Sequence, residues 1–115
     1  MRRGEIRLVD LNPAVGAEAN KIRPAVIVSN DGANNAADRS GHGVITVVPV
    51  TGNTAHVYPF QVLLPVGSCG LRAESKVQAE QVRAVAVERV GRRIGRLSPD
   101  QLGQLDRALR LHLAL

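Results

Sequence analysis

At 115 residues the chain has room for one hydrophobic core, so a single domain over residues 1–115 is expected. Its 44% hydrophobic and 22% charged residues suit a folding globular protein and exclude a disordered tail or a collagen-like chain. Fifteen Lys and Arg against ten Asp and Glu give a net charge of +5, nearly all of it arginine, which favours a polyanionic partner such as nucleic acid or an anionic surface.

No apolar run is long enough to cross a bilayer, and Met1-Arg2-Arg3 leads into Gly4-Glu5 rather than an apolar signal core. A protein without a membrane span, placed in the cytoplasm, is therefore expected. The lone Cys69 excludes an internal disulfide and a thiolate zinc site. One Phe, one Tyr and no Trp exclude a stacking platform for several bases.

Short β-branched runs punctuated by Gly and Pro predict a mainly β protein. Ile6 and Leu8 alternate with Glu5 and Arg7, the period of a strand with one buried and one wet face. Residues 10–20, with Asn12-Pro13 and Gly16, read as a loop. Residues 24–29 (PAVIVS) and 44–50 (VITVVPV) are unbroken apolar runs, expected of central strands covered on both faces. The polar segment 30–43 between them reads as a loop with room for one short helix. Residues 58–64 alternate, with Phe60, Val62 and Leu64 on one face, and run into a turn at 65–70. Residues 75–87 and 92–97 supply two or three further short strands, parted by 88–91.

The period then changes. Ser98 as N-cap, Pro99 at the first helical position and Gln101 three residues after the cap make a capping-box start. Leu102, Leu105, Leu109 and Leu113 form one stripe expected to pack on the sheet. Leu111 and Leu115 lie on another side, where either partial burial or a dimer contact accounts for them.

His42, His56 and His112 have no His, Cys or Asp-x-Asp neighbour at ligand spacing, so neither a metal nor a cofactor is expected. Cys69, within Gly67-Ser68-Cys69-Gly70, lacks a partner for nucleophilic catalysis and is assigned to the turn. Arg23 is a stronger candidate, because it stands where a polar loop enters a buried strand. Its fork of donors suits a phosphate and the charge that grows on a phosphorane; an edge arginine covering a barrel end is the plain alternative. Thr51-Gly52-Asn53-Thr54 leaves the second core strand at a sheet end, where sites gather. His56 either contacts phosphate or is a solvated loop residue. Glu80, Gln81 and Arg83 set an acceptor, an amide and a guanidinium close in sequence, and Arg83, Arg89, Arg92, Arg93 and Arg96 make either a solvated face or an electrostatic funnel for a nucleic-acid strand.

Taken in order, MRRGEIRLVDLNP, GAEANKIRPAVIVSND, VITVVPVT, YPFQVLL, AEQVRAV and RIGRL resemble the MazF/PemK toxins over essentially the whole chain. The resemblance implies a small SH3-like β-barrel of the MazF/PemK/CcdB type with a C-terminal helix. It also implies a homodimer acting as a metal-independent, sequence-specific endoribonuclease of a type II toxin–antitoxin pair. Under it, Arg23 and Thr51 are the catalytic residues, Glu18 lies near the scissile phosphate on a mobile flap, and Gln81 lies beside the binding channel. Asn20, Lys21 and His56 are expected as further substrate-binding residues, His56 standing where some relatives carry lysine. The implied reaction is in-line attack by the ribose 2′-hydroxyl, a nucleophile already held beside the phosphorus, leaving a 2′,3′-cyclic phosphate and a 5′-hydroxyl. Single-stranded RNA and a cognate MazE-like antitoxin are the implied partners, the latter through a disordered segment that folds onto the groove. A CcdB-type toxin that binds DNA gyrase and a nucleic-acid-binding barrel that cuts nothing are the competing readings.

Overall fold

The computed structural model describes residues 1–115. In chain order it contains β1 (Glu5–Asp10), β2 (Ile22–Ile27), α1 (Asp31–Ser40), β3 (Val44–Thr51), β4 (Gln61–Leu64), β5 (Ser75–Gln78), β6 (Arg83–Ala86), β7 (Val90–Arg96) and α2 (Pro99–Leu113). Single 3-10 turns precede and follow β6, at 79–81 and 87–89. All ladders are antiparallel, in the order β4-β5-β3-β2-β1-β7, with β6 also on β3. The expected mainly β architecture with a C-terminal helix is the one observed.

The long apolar run of β3 is what allows three neighbours. One edge pairs β2, while the other pairs β6 along Val44–Val47 and β5 along Val50–Thr51. Its alternate residues enter different cores, as the unbroken hydrophobic run requires. Val48 and Val50 join Ile6, Val26, Val62, Leu64 and Val77 under α2; Ile45 and Val47 join Val9, Leu11, Ala25, Ile27 and Val85 on the opposite face.

β1 alternates as expected, in unbroken register with β2 from Ile6 to Asp10, but neither of its faces is wet: Ile6 enters the first core and Val9, on the other face, enters the second, while Leu8 stays half-buried. The irregular pairing with β7 between Ile6 and Arg7 and between Arg7 and Val9 comes from extra residues on β7. Segment 30–43 is mostly α1 rather than loop. Asn30 caps it by accepting from the Ala33 N–H, and Gly41 ends it in the left-handed conformation. Within 58–64 only β4 is a strand, because the Gln61 N–H bonds the Tyr58 carbonyl and folds 58–60 into a turn.

Helix α2 begins with the predicted capping box of Ser98 and Gln101. Leu105 and Ala108 are fully buried against the sheet, with Leu102 and Leu109 beside them. Leu113, one turn on, is half-exposed, so the stripe is longer than the surface it packs on. Arg3 fastens the helix to the sheet, donating from Nε to the Val28 carbonyl at 2.8 Å and from Nη2 to Asp106 at 2.7 Å.

The terminal strands β4 and β7 share no ladder. Instead the turn after β4 lies directly on β7: a Cβ on Gly95 would collide with the Cys69 carbonyl, and one on Gly70 with that of Ile94. Cys69 belongs to this seam, at φ 60°, with its thiol donating to Gln101 Oε1 at 2.9 Å. No helix is long and apolar enough to cross a membrane.

Candidate nucleic-acid groove

Directly opposed residues of antiparallel strands share a face, and residues two apart on one strand share it again. Thr51 opposes Lys76, Leu63 opposes Lys76 from the other side, and Gln61 opposes Gln78. Ala25 opposes Pro49, so continuing that register by two places sets Arg23 level with Thr51. Arg23, Thr51, Lys76, Gln78 and Gln61 therefore lie on one face across β2, β3, β5 and β4. The alternate residues Val50, Val77 and Val62 fill the core beneath.

Arg23 is half-buried and oriented by a single neighbour. Its Nε donates to the Asn20 carbonyl at 2.8 Å and its Nη2 to Asn20 Oδ1 at 3.1 Å. A guanidinium carries five N–H donors, so most remain free for a ligand. The Thr51 Oγ1 accepts the Asn53 N–H at 3.3 Å, opening the turn at 51–54, and its own hydrogen stays available. The two residues implied as catalytic thus stand on one face at the same level.

The loop 11–21 makes the groove wall beside Arg23. The Gln81 amide clamps it from both ends, accepting from the Ala19 N–H at 3.1 Å and donating to the Ala17 carbonyl at 3.0 Å. Arg83 donates to the Leu11 carbonyl at 3.3 Å, and Arg89 donates to the carbonyls of Asp10 and Asn12. Arginines that resembled an electrostatic funnel in the sequence are thus partly spent on holding this loop. Glu18 caps its own turn, its Oε2 accepting the Val15 N–H at 3.1 Å, and forms no ion pair with Arg23. It lines an open pocket of about 360 Å³ with Glu80, Gln81, Val82 and Arg83. Lys21 is exposed at φ 65°, with its N–H on Asn12 Oδ1.

The other wall is the segment 52–60. His56 is exposed, and its carbonyl accepts from Lys76 Nζ at 2.6 Å. Its ring begins a row of His56, Tyr58, Phe60 and His112, with centroids 6.3, 5.3 and 6.4 Å apart. Tyr58 and Phe60 stack within 2° of parallel, and Tyr58 is half-exposed. The composition's scarcity of aromatics is offset by their position: the only Tyr and Phe meet at one groove edge.

Lys76, Gln61, Gln78 and Glu80 complete the floor and were not singled out as a set by the sequence. Gln61 donates to Glu80 Oε2 at 2.7 Å and accepts from the Tyr58 N–H at 3.1 Å. Gln78 Oε1 and Glu80 Oε1 are buried acceptors without a partner in the chain. The strand pairing of Lys76, Gln78 and Gln61, invisible without long-range register, is the signal that joins them to Thr51, and Glu80 reaches them from the turn 79–81 by accepting from Gln61. No three His, Cys, Asp or Glu side chains converge, and His42 lies near Glu88 at 3.9 Å on an exposed surface.

The model of the PemK-like, MazF-like toxins of type II toxin-antitoxin systems matches residues 2–113. The chain is 64% identical over 115 residues to endoribonuclease MazF9 of Mycobacterium tuberculosis, covering 100% of this chain and 98% of that protein. Among solved structures, MazF of Deinococcus radiodurans superposes with a TM-score of 0.78 at 25% identity, covering 100% of this chain and 97% of that one. A mycobacterial endoribonuclease in complex with its cognate antitoxin superposes with a TM-score of 0.76 at 23% identity, covering 100% and 96%. Sequence match, fold and a groove carrying Arg23 and Thr51 agree, and the chain belongs to the PemK-like, MazF-like toxins of type II toxin-antitoxin systems, a family of endoribonucleases.

Proposed function

We propose that the groove binds single-stranded RNA and cuts it by transfer to its own ribose. The observation that carries this reading is the level placement of Arg23 and Thr51 on one sheet face, with guanidinium donors uncommitted. The 2′-oxygen attacks the adjacent phosphorus as it loses its proton, the bond from phosphorus to the 5′-oxygen breaks, and that oxygen is protonated. The products are a 2′,3′-cyclic phosphate and a 5′-hydroxyl.

Arg23 stabilises the extra negative charge on the phosphorane oxygens through its paired donors. It does not serve as the base, since a guanidinium holds its proton far above neutral pH. Thr51 orients the 2′-hydroxyl or a nonbridging oxygen. Gln81 keeps the loop 11–21 seated, Asn20 aims Arg23, and Glu18, Lys21 and His56 line the path of the strand. The reaction draws on no metal or cofactor, because proximity of the internal nucleophile supplies what a metal-bound hydroxide otherwise would.

The same surface suits a disordered segment of a cognate antitoxin, a reading supported by the mycobacterial relative solved with its own. The exposed Leu111, Leu113 and Leu115 support a homodimer. The cytoplasm is the proposed location, in accord with the lack of a membrane-crossing helix.

The test is to incubate the protein with a long single-stranded RNA in EDTA and map the new ends. Cuts at fixed sites with cyclic-phosphate termini are expected, and one 2′-deoxyribose at the cut should abolish cleavage there. Retention of cutting on the deoxy-substituted strand, or cutting that only divalent ions restore, overturns the mechanism.

A further inference from the structure

Lys76 is a cation on the groove floor to which the family resemblance gives no role. It lies on β5 directly opposite Thr51 and is 7% exposed. Its ammonium donates one hydrogen bond, to the His56 carbonyl at 2.6 Å, and lies 5.7 Å from the centroid of the Tyr58 ring. An ammonium has three donors, and none of the ion pairs of the chain involves this one. The nearby Glu80 gives one oxygen to Gln61 and forms no ion pair with Lys76.

A charge withdrawn from water without a counter-charge is costly, and a carbonyl dipole and a ring face offset only part of that cost. Leu63 stands directly opposite on the same face, so an apolar side chain is already accommodated beside position 76 without such a cost. The charge therefore answers to something that arrives. It stands level with Thr51 and with Arg23, on the face where the phosphodiester is placed by the reading above.

We infer that Lys76 is a phosphate ligand of the groove, holding a backbone phosphate of the RNA beside Thr51 with the donors that His56 leaves free. This inference rests on the RNA-cleaving reading of Arg23 and Thr51 and adds a second anchor to it. Arg23 meets the reacting phosphorus as a planar fork, whereas Lys76 supplies a compact point charge next to it. By gripping the His56 carbonyl, the same ammonium ties the 52–60 wall to the phosphate it binds.

The experiment compares the wild type with Lys76→Met, Lys76→Gln and Lys76→Arg, each first checked for an unchanged fold by thermal melting. The probe is a single-stranded RNA oligomer containing the mapped cut site with one 2′-deoxyribose at the attacked position, so that binding is read without cutting. Affinity is followed from low to moderate salt. Loss of one phosphate contact from a single strand lowers the slope of log Kd against log salt by about 0.7. That drop is expected for the methionine and glutamine variants, with retention in the arginine variant. A second series places a neutral methylphosphonate at the scissile linkage or at either neighbour. One position should weaken the wild type about tenfold and leave Lys76→Met unaffected.

Equal slopes in wild type and Lys76→Met, or methylphosphonate effects that are the same in both, overturn the inference while leaving RNA cleavage standing. So does a phosphate-independent loss of binding to an antitoxin peptide alone. A wild type that neither binds nor cuts RNA removes the reading of the groove and this inference together. If both neutral variants melt early, the methylphosphonate series on wild type and Lys76→Arg decides: no sensitive linkage in either rejects the contact.

Discussion

In the proposed reaction Arg23 is the residue on which cleavage depends most, and its geometry is set by one asparagine. Replacing it by alanine removes charge stabilisation that develops during the reaction, a class of loss worth about 100- to 1000-fold in kcat. Asn20→Ala takes away the side-chain hydrogen bond at 3.1 Å but leaves the bond to its backbone carbonyl. The guanidinium stays nearby but is aimed less well, so a fall of about tenfold in kcat is expected with little change in melting temperature. Single-turnover cleavage of a labelled oligomer separates these effects, and an unchanged rate in Arg23→Ala discards its assignment. Arg23 and Thr51 stand out in the sequence as candidates because each lies where a polar turn meets an apolar run, while the roles proposed for them come from the family resemblance. Lys76 and Gln61 carry no such mark: their membership of the same face follows from cross-strand register, which no local pattern encodes.

Among the elements, those specified by short-range chemistry were the legible ones. The capping box fixed the start of α2, and the unbroken apolar runs identified β2 and β3 as strands buried on both faces. Helix α1 was under-read because its stretch is rich in Asn and Ala rather than in periodic hydrophobes; only Asn34 and Ala37 are buried. The reading of β1 failed for a different reason: the strand alternates as expected, but its face read as wet carries Val9 into the second core, built with residues between 11 and 85 that no local pattern places there. The seam between Gly70 and Gly95 was equally hidden. At Gly95 a methyl group meets backbone, which cannot swing aside, so Gly95→Ala should lower the melting temperature by several degrees or prevent folding. Gly103→Ala is the control: on α2 its Cβ meets only the flexible end of Arg107 at 3.7 Å, and a neutral or raised melting temperature is expected. Equal melting of both variants would show that the seam is not tightly closed.

For the whole molecule the outstanding surface is the end of α2. Leu111, Leu113 and Leu115 are 57%, 49% and 86% exposed, an unusual amount of leucine to leave in water on a chain of 12.3 kDa. Light scattering should give twice the chain mass, and Leu111→Glu with Leu115→Glu should shift it toward the single-chain value. A dimer indifferent to both changes places the contact elsewhere. The sequence announced this strip through its helical spacing, though not that Leu113 would join it, because the reach of the sheet beneath the helix is a property of the assembled fold.

The centrality of β3 limits how such a protein can vary over time. Its partners on both edges and its two opposed faces depend on the same count of residues, so inserting or deleting one amino acid within it would send Thr51 inward and bring Val50 to the surface. Length changes are tolerable only in the connections, at 11–21, 52–60 and 65–74, two of which border the groove. Descendants of this scaffold are thus free to acquire new target preferences by altering their rims, while the bar on frameshifted pairing keeps the reactive centre where it is.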